Sequence, residues 1–152
     1  MSDFVSEKNV LLHQTAASRE EVLRIISDYS VELGAADDAD AVYAGFIARE
    51  EIDQTGMMEG FAIPHCKTAA VKKASAVVFK NETPLEWPSL DGKPVDIAVA
   101  LLVPDAEAGT THLHLLSKTA VLLMNDEFKR LVREGDDPKA IADLINAELD
   151  KE

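Results

Sequence analysis

Apolar residues recur at helical spacing in two stretches of the first third of the chain, and each stretch predicts a helix. A capping box begins at Ser18, before the first stretch, and Gly34 stands where a helix C-terminal cap is expected. The second stretch begins after Asp37 and Asp38, which are good N-terminal capping residues, and its pattern ends near Glu51.

Apolar segments rich in β-branched residues predict the strands. The run from Val95 to Val103 is almost continuously apolar, as expected for a strand that is buried on both faces. A second strand is predicted over 74–79, and 9–12 reads as a short edge strand. Residues 61–63 form a short extended piece, because Pro64 keeps the residue before it out of the helical conformation.

Three more helices are predicted in the last third of the chain. One starts at Thr110 or Thr111, one covers 126–134, and one opens with Pro138 at its first position. Helices both precede and separate the strands, which is typical of an α/β fold. We therefore expect one domain over residues 1–152, with a mixed β-sheet of about five strands flanked by helices on both faces.

Charge and composition exclude several functional classes. The 152 residues carry a formal net charge of −13, which argues against nucleic acid and against anionic membrane surfaces but suits electrostatic steering of a basic partner. A single cysteine excludes an intramolecular disulfide and a cysteine-rich zinc site. The longest apolar run is too short to span a bilayer, and no signal-peptide pattern is present, so we expect a cytoplasmic protein.

Two residues are candidates for phosphoryl chemistry. Pro64 displays His65 at the end of an extended segment, where ligand sites of α/β sheets gather, and a neutral imidazole can accept a phosphoryl group covalently. Arg49 lies near the end of the second predicted helix, and its planar guanidinium suits an anion such as phosphate. The alternatives are an ordinary loop histidine and a solvated arginine that interacts with the helix dipole.

A helical wheel separates the two histidines of the third predicted helix. His112 falls within the apolar arc, whereas His114 falls opposite, so the pair does not form a metal clamp. A histidine on an apolar face is commonly a core residue bonded to backbone. Its position in the first turn leaves anion binding as the alternative.

Three segments resemble enzyme IIA of the sugar phosphotransferase system, of the fructose–mannitol type and most nearly of its fructose branch. Residues 49–65 are similar to the family's active-site signature, 87–95 to its turn-and-strand block, and 104–117 to its second-histidine helix. The three blocks occur in the family's order and spacing. The resemblance covers about residues 5–148 of the chain.

The resemblance implies roles for individual residues. His65 would be the phosphorylated histidine, attacking through its ε nitrogen, while His112 would donate a hydrogen bond to the phosphoryl group and Arg49 would help to stabilise it. No cofactor and no metal are implied. The chain would therefore act as a phosphotransferase component through a phosphohistidine intermediate.

The same resemblance implies the partners. Phosphoenolpyruvate would charge enzyme I, then the phosphocarrier protein HPr, then this chain, which would charge enzyme IIB for uptake of a sugar, expected to be fructose, through the membrane-bound enzyme IIC. The alternative is the nitrogen-related regulatory type, which carries phosphate but moves no sugar. Neither the sugar nor the oligomeric state is written in the sequence.

Four residues near His65 lead to further expectations. Met57, Met58 and Phe61 could form an adaptable apolar ring that contacts the two protein partners in turn, or they could be ordinary core residues. Cys66 stands where the family commonly has glycine or alanine. A thiol beside the nucleophile is expected to make the activity sensitive to oxidation.

Overall fold

The computed structural model describes residues 5–107 and 110–150, with the side chains of residues 107 and 110–112 outside the description. Short 3₁₀ turns occur at Glu7–Asn9 and Asp105–Glu107. The strands are β1 (Val10–Gln14), β2 (Phe61–Ala62), β3 (His65–Thr68), β4 (Ser75–Leu85) and β5 (Val95–Pro104). The helices are α1 (Arg19–Glu32), α2 (Ala39–Ile52), α3 (Thr110–Leu122), α4 (Asp126–Glu134) and α5 (Pro138–Leu149).

The five strands form one mixed sheet, as predicted. Its order is β1-β4-β5-β2, and β3 also pairs with β5. The β4–β5 pair is antiparallel, whereas β1 runs parallel to β4 and both β2 and β3 run parallel to β5. Two short strands therefore follow each other along the same side of β5, and the connection between them lies in the middle of that side.

Alternation along β5 divides the core into two layers. Ala98, Ala100 and Leu102 belong to a cluster with α1 and α2, whereas Ile97, Val99, Leu101 and Val103 belong to a second cluster with α3, α4 and α5. Helices thus cover both faces of the sheet, which confirms the predicted α/β architecture. The nearly continuous apolar run follows from burial on both sides.

Side-chain caps fix the starts of the helices where the sequence predicts them. The Ser18 hydroxyl accepts a hydrogen bond from the backbone of Glu21, and the Asp38 carboxylate accepts one from Ala41. Gly34 has a positive φ of 77°, a conformation that glycine adopts without a steric penalty. Within the described residues, no helix is both long enough and apolar enough to cross a membrane.

Candidate functional site

The short connection between β2 and β3 places His65 at the start of β3. The connection consists of Ile63 and Pro64, and it is held on both sides. The Ile63 amide donates to the Thr55 carbonyl at 2.9 Å, and the Leu101 amide donates to the Pro64 carbonyl at 2.9 Å. His65 pairs with Leu101 of β5 and is only 4% exposed. The structure therefore shows a strand residue where the sequence predicts a loop junction.

Two hydrogen bonds define the tautomer of the His65 imidazole. Its Nδ1 lies 2.8 Å from the carbonyl oxygen of Ile63, and a carbonyl can only accept, so Nδ1 carries the proton. Its Nε2 lies 2.8 Å from Nε of Arg49, and a guanidinium can only donate, so Nε2 presents its lone pair. Both contacts fit one neutral imidazole, with the proton on Nδ1 and a lone pair on Nε2.

Arg49 is held in the last turn of α2 by a second hydrogen bond. Its Nη1 donates to the carbonyl oxygen of Asp53 at 2.7 Å, at the residue that ends the helix. This contact and the bond to His65 fix the guanidinium plane from two sides. The structure thus brings Arg49 and His65 together, as the sequence analysis expects.

A cleft of about 310 Å³ opens beside this pair, between the end of α2 and β3. It is lined by Gly45, Ala48, Arg49, Ile52, His65 and Lys67. Lys67 is exposed and follows His65 by two positions on the strand, so both residues lie on the same side of β3. Lys67 cannot be recognised from the sequence alone, since only the assignment of 65–68 as a strand places it beside the imidazole.

A buried carboxyl group supports the loop between α2 and β2. Glu50 accepts a hydrogen bond from the Thr55 hydroxyl, and its other oxygen lies 3.8 Å from a guanidinium nitrogen of Arg19. Burial raises the pKa of the Glu50 carboxyl, while the Thr55 and Arg19 contacts act in the opposite direction. Because the Thr55 carbonyl also holds Ile63, Glu50 supports the segment whose carbonyl orients the His65 ring.

The proposed apolar ring of Met57, Met58 and Phe61 is not assembled at the cleft. Phe61 is 1% exposed, packs in the core beneath α4 and α5, and is covered by the guanidinium of Arg133, so its assignment as a partner-binding residue is wrong. Met57 is partly buried against the same core, and Met58 is 54% exposed.

Register explains why this loop and His65 are separated. Phe61 pairs with Ile97, four positions before the partner of His65 on β5, which corresponds to about 13 Å along the sheet. Met57 and Met58 lie at the Phe61 end of β2, because the Met57 amide donates to the Phe61 carbonyl at 2.7 Å and the Phe61 amide donates to the Met58 carbonyl at 3.2 Å. None of these three residues lines the cleft beside His65.

The other histidines differ in what the structure says about them. The His112 backbone lies in α3, but its side chain falls outside the described residues, so its role remains a prediction. His114 is exposed, with Nε2 3.4 Å from the Leu149 carbonyl oxygen. Among the residues that the structure describes, no group of three or more His, Cys, Asp or Glu side chains is placed to hold a metal ion.

Cys66 does not line the cleft but packs into the core beneath α2. It is 2% exposed, and burial raises the pKa of its thiol to about 12. The thiolate, which is the form that oxidants and alkylating agents attack, is therefore scarce at neutral pH. This burial argues against the expectation that the thiol of Cys66 makes the activity sensitive to oxidation.

Comparison with known proteins identifies the family and agrees with the fold. The family described as "Phosphoenolpyruvate-dependent sugar phosphotransferase system, EIIA 2" matches residues 3–148. The chain belongs to this family, which makes it a phosphotransferase component and confirms the resemblance seen in the sequence.

Its relatives include both transport and regulatory proteins. The chain is 35% identical, over 89% of its length, to the Escherichia coli "PTS system 2-O-alpha-mannosyl-D-glycerate-specific EIIABC component", and the match covers 21% of that protein. The Haloferax volcanii "PTS system fructose-specific EIIA component" is 29% identical, with 90% of this chain and 88% of the relative covered. A Pseudomonas aeruginosa "Nitrogen regulatory protein" is 30% identical, with coverages of 89% and 87%.

Solved structures share the fold at lower identity. The nitrogen regulatory protein IIA-Ntr from Neisseria meningitidis superposes with a TM-score of 0.85 at 24% identity, covering 94% of this chain and 97% of its own.

The chain spans only about a fifth of the multidomain relatives, 21% and 23% of two such EIIABC components. Their full activities therefore do not transfer to it directly.

We predict that Glu50→Gln changes how stability depends on pH. The folded-state pKa of Glu50 is raised, so its contribution is fully present below the ordinary value of 4.5 and is lost as pH rises through the folded-state value. The glutamine side chain does not ionise, so the variant does not lose this stability. Its free energy of unfolding, relative to that of wild type, therefore increases from pH 4 to pH 7. Urea unfolding at both pH values measures the difference, with the exposed neighbour Glu51→Gln as control; an unchanged or reversed difference contradicts the prediction.

We also predict that Cys66 is inert in the folded protein. At pH 8 iodoacetamide should alkylate it at least about 100-fold more slowly than in urea-unfolded chain, because thiolate formation requires the thiol to leave the core. Mass spectrometry of timed samples measures both rates. Similar rates in the folded and unfolded states would show that the thiol is accessible.

Proposed function

We propose that this protein is a phosphohistidine carrier that accepts a phosphoryl group on Nε2 of His65 from HPr and passes it to an enzyme IIB. The observation that carries the proposal is the neutral imidazole with its Nε2 lone pair directed to Arg49 at the edge of an open cleft. In this geometry a nucleophile and a cation that can stabilise the transferred group are already in contact.

The transfer step follows from the two hydrogen bonds. The Nε2 lone pair forms a bond to phosphorus while the nitrogen–phosphorus bond of the donor phosphohistidine breaks and returns its electron pair to the donor ring. Nδ1 of His65 keeps its proton, and the Ile63 carbonyl stabilises the positive charge that develops on the ring. No proton has to leave His65 during this exchange.

Arg49 has two successive roles in this mechanism. Before transfer its Nε donates to His65 Nε2 and fixes the ring, and during transfer it must release that lone pair and turn its donors to the phosphoryl oxygens. Lys67 supplies a second positive charge at the cleft. His112 would add a hydrogen bond to the phosphoryl group from α3.

The wider pathway forms part of the proposal. HPr, charged through enzyme I from phosphoenolpyruvate, is the donor, and enzyme IIB with the membrane-bound enzyme IIC would use the group to take up a sugar. We place the protein in the cytoplasm. Fructose-specific EIIA and EIIABC relatives support fructose as the sugar, and the E. coli mannitol enzyme IIA, which shares the fold, was solved in complex with phosphorylated enzyme IIB.

A second candidate function is regulation by the phosphorylated and unphosphorylated forms without sugar transport. Nitrogen regulatory proteins among the relatives, such as those of Pseudomonas aeruginosa and Klebsiella oxytoca at 30% and 34% identity, favour it. The chemistry at His65 would be the same in both cases. The two functions differ in whether a sugar-specific enzyme IIB accepts the group.

We predict that phosphoenolpyruvate, enzyme I and HPr together place one acid-labile phosphate on the protein, and that His65→Ala abolishes it because Nε2 is lost. Native mass spectrometry and ³²P incorporation measure the stoichiometry, and His114→Ala serves as the control. Absence of phosphate on wild type, or its persistence in His65→Ala, contradicts the proposal. Chasing the label with a fructose-type enzyme IIB then separates transport, in which the label moves, from regulation, in which it stays.

We predict that Lys67→Met slows phosphoryl transfer from HPr about tenfold, because the cleft loses a positive charge close to the developing phosphoryl charge. The exposed Lys72→Met on the following loop is the matched control, since it changes the net charge equally. Rapid-quench measurement of the labelled protein gives both rates. Equal slowing in the two variants would indicate a general charge effect rather than a role in the cleft.

A further inference from the structure

Gly45 and Cys66 form a close approach between α2 and β3 that a side chain at position 45 would disturb. A Cβ atom built on Gly45 would lie 2.6 Å from Sγ of Cys66 but 3.5 Å from its Cβ. The first separation is well inside van der Waals contact, whereas the second is an ordinary contact. Only the absence of a side chain at position 45 allows the helix to lie this close to the strand.

The same two elements carry the reactive pair. Arg49 follows Gly45 by four residues, so both lie on the same side of α2 about one turn apart. His65 precedes Cys66 on β3, and the Arg49–His65 hydrogen bond of 2.8 Å spans the same gap. The Gly45–Cys66 contact and the Arg49–His65 hydrogen bond therefore both depend on the distance between α2 and β3.

We propose that the absence of a side chain at Gly45, opposite the thiol of Cys66, lets α2 approach β3 closely enough to position Arg49 on Nε2 of His65. Gly45 is a positioning residue, because it neither donates to nor accepts from the transferred group, and Cys66 is the neighbour that it must clear. The expected effect on the rate of phosphorylation rests on the proposed function. The geometric consequence, the Arg49–His65 hydrogen bond, is independent of any phosphoryl donor.

The size of the effect follows from the distances. Moving a methyl group at position 45 from 2.6 Å to ordinary contact with Sγ requires a shift of about 1 Å. A shift of that size would lengthen the 2.8 Å bond between Arg49 and His65 beyond the range of a good hydrogen bond. A displacement of about 1 Å at a reacting group can cost about 100-fold in rate.

Packing around Cys66 limits the other way of relieving the clash. The thiol is 2% exposed and belongs to the core cluster that contains Val42, Phe46 and Leu102. Rotating the sulfur away from α2 would push it into these neighbours, since protein cores leave few voids. We therefore expect the helix, rather than the thiol, to move.

The test compares wild type with Gly45→Ala, Cys66→Ala and the double variant. Gly45→Ala should slow phosphorylation by HPr between 10- and 100-fold, mainly in the maximal rate and not in the HPr concentration at half-maximal rate. Cys66→Ala should stay within about twofold of wild type. The double variant should regain most of the lost rate, because a methyl at position 45 then meets only the Cβ of residue 66, at 3.5 Å.

A second readout does not depend on phosphorylation. The Nε proton of Arg49 should resonate downfield in wild type because it is bonded to His65, move upfield in Gly45→Ala, and return in the double variant. Urea unfolding of each variant separates displacement of the helix from loss of the fold. If Gly45→Ala does not fold, the double variant still decides the question: recovery of the fold and of the downfield resonance supports the inference, and failure to recover them overturns it.

The outcomes separate this inference from the proposed function. No phosphate on wild type would refute the proposed function and leave the Arg49 resonance to decide this inference. A Gly45→Ala variant with unchanged rate and resonance would overturn it, since the thiol then yields instead of the helix. Slowing that Cys66→Ala does not relieve would also overturn it, because the sulfur would not be the obstacle.

Discussion

The hydrogen bond from Arg49 Nε to His65 Nε2 is possible only because the other ring nitrogen already donates to the Ile63 carbonyl. Together the two bonds require a neutral ring with its lone pair on Nε2, which is the state that attacks phosphorus. Two further contacts keep these bonds in place. Asp53 holds the guanidinium of Arg49, and the Thr55 carbonyl holds the peptide of Ile63.

The sheet makes these bonds possible by placing two short strands in succession along β5. The connection at Ile63 and Pro64 is held by Thr55 on one side and Leu101 on the other. His65 therefore begins a strand with its ring turned back toward the peptide that precedes it. A residue on a fixed strand is positioned better for transfer than one on a loop.

The charged side chains that line the cleft are positive, although the chain as a whole is strongly negative. The chain carries a net charge of −13, yet the cleft beside His65 contains the positive groups of Arg49 and Lys67. A phosphoryl group brings negative charge that the cleft can stabilise locally, while the acidic remainder attracts a basic partner over a longer range. The two effects are separable, because added salt weakens the long-range attraction much more than the contacts in the cleft.

The sequence by itself determined the helix starts at Ser18 and Asp38, the doubly buried strand β5 and the candidates His65 and Arg49. These depend on local capping, periodicity and a motif, which are properties of neighbouring residues. Only the tertiary structure decided that Lys67 joins the cleft, that Phe61 and Cys66 are buried, and that Gly45 lies directly against Cys66. Such facts depend on strand register and on contacts between distant segments, and a one-residue change of register would reverse which side chains face the cleft.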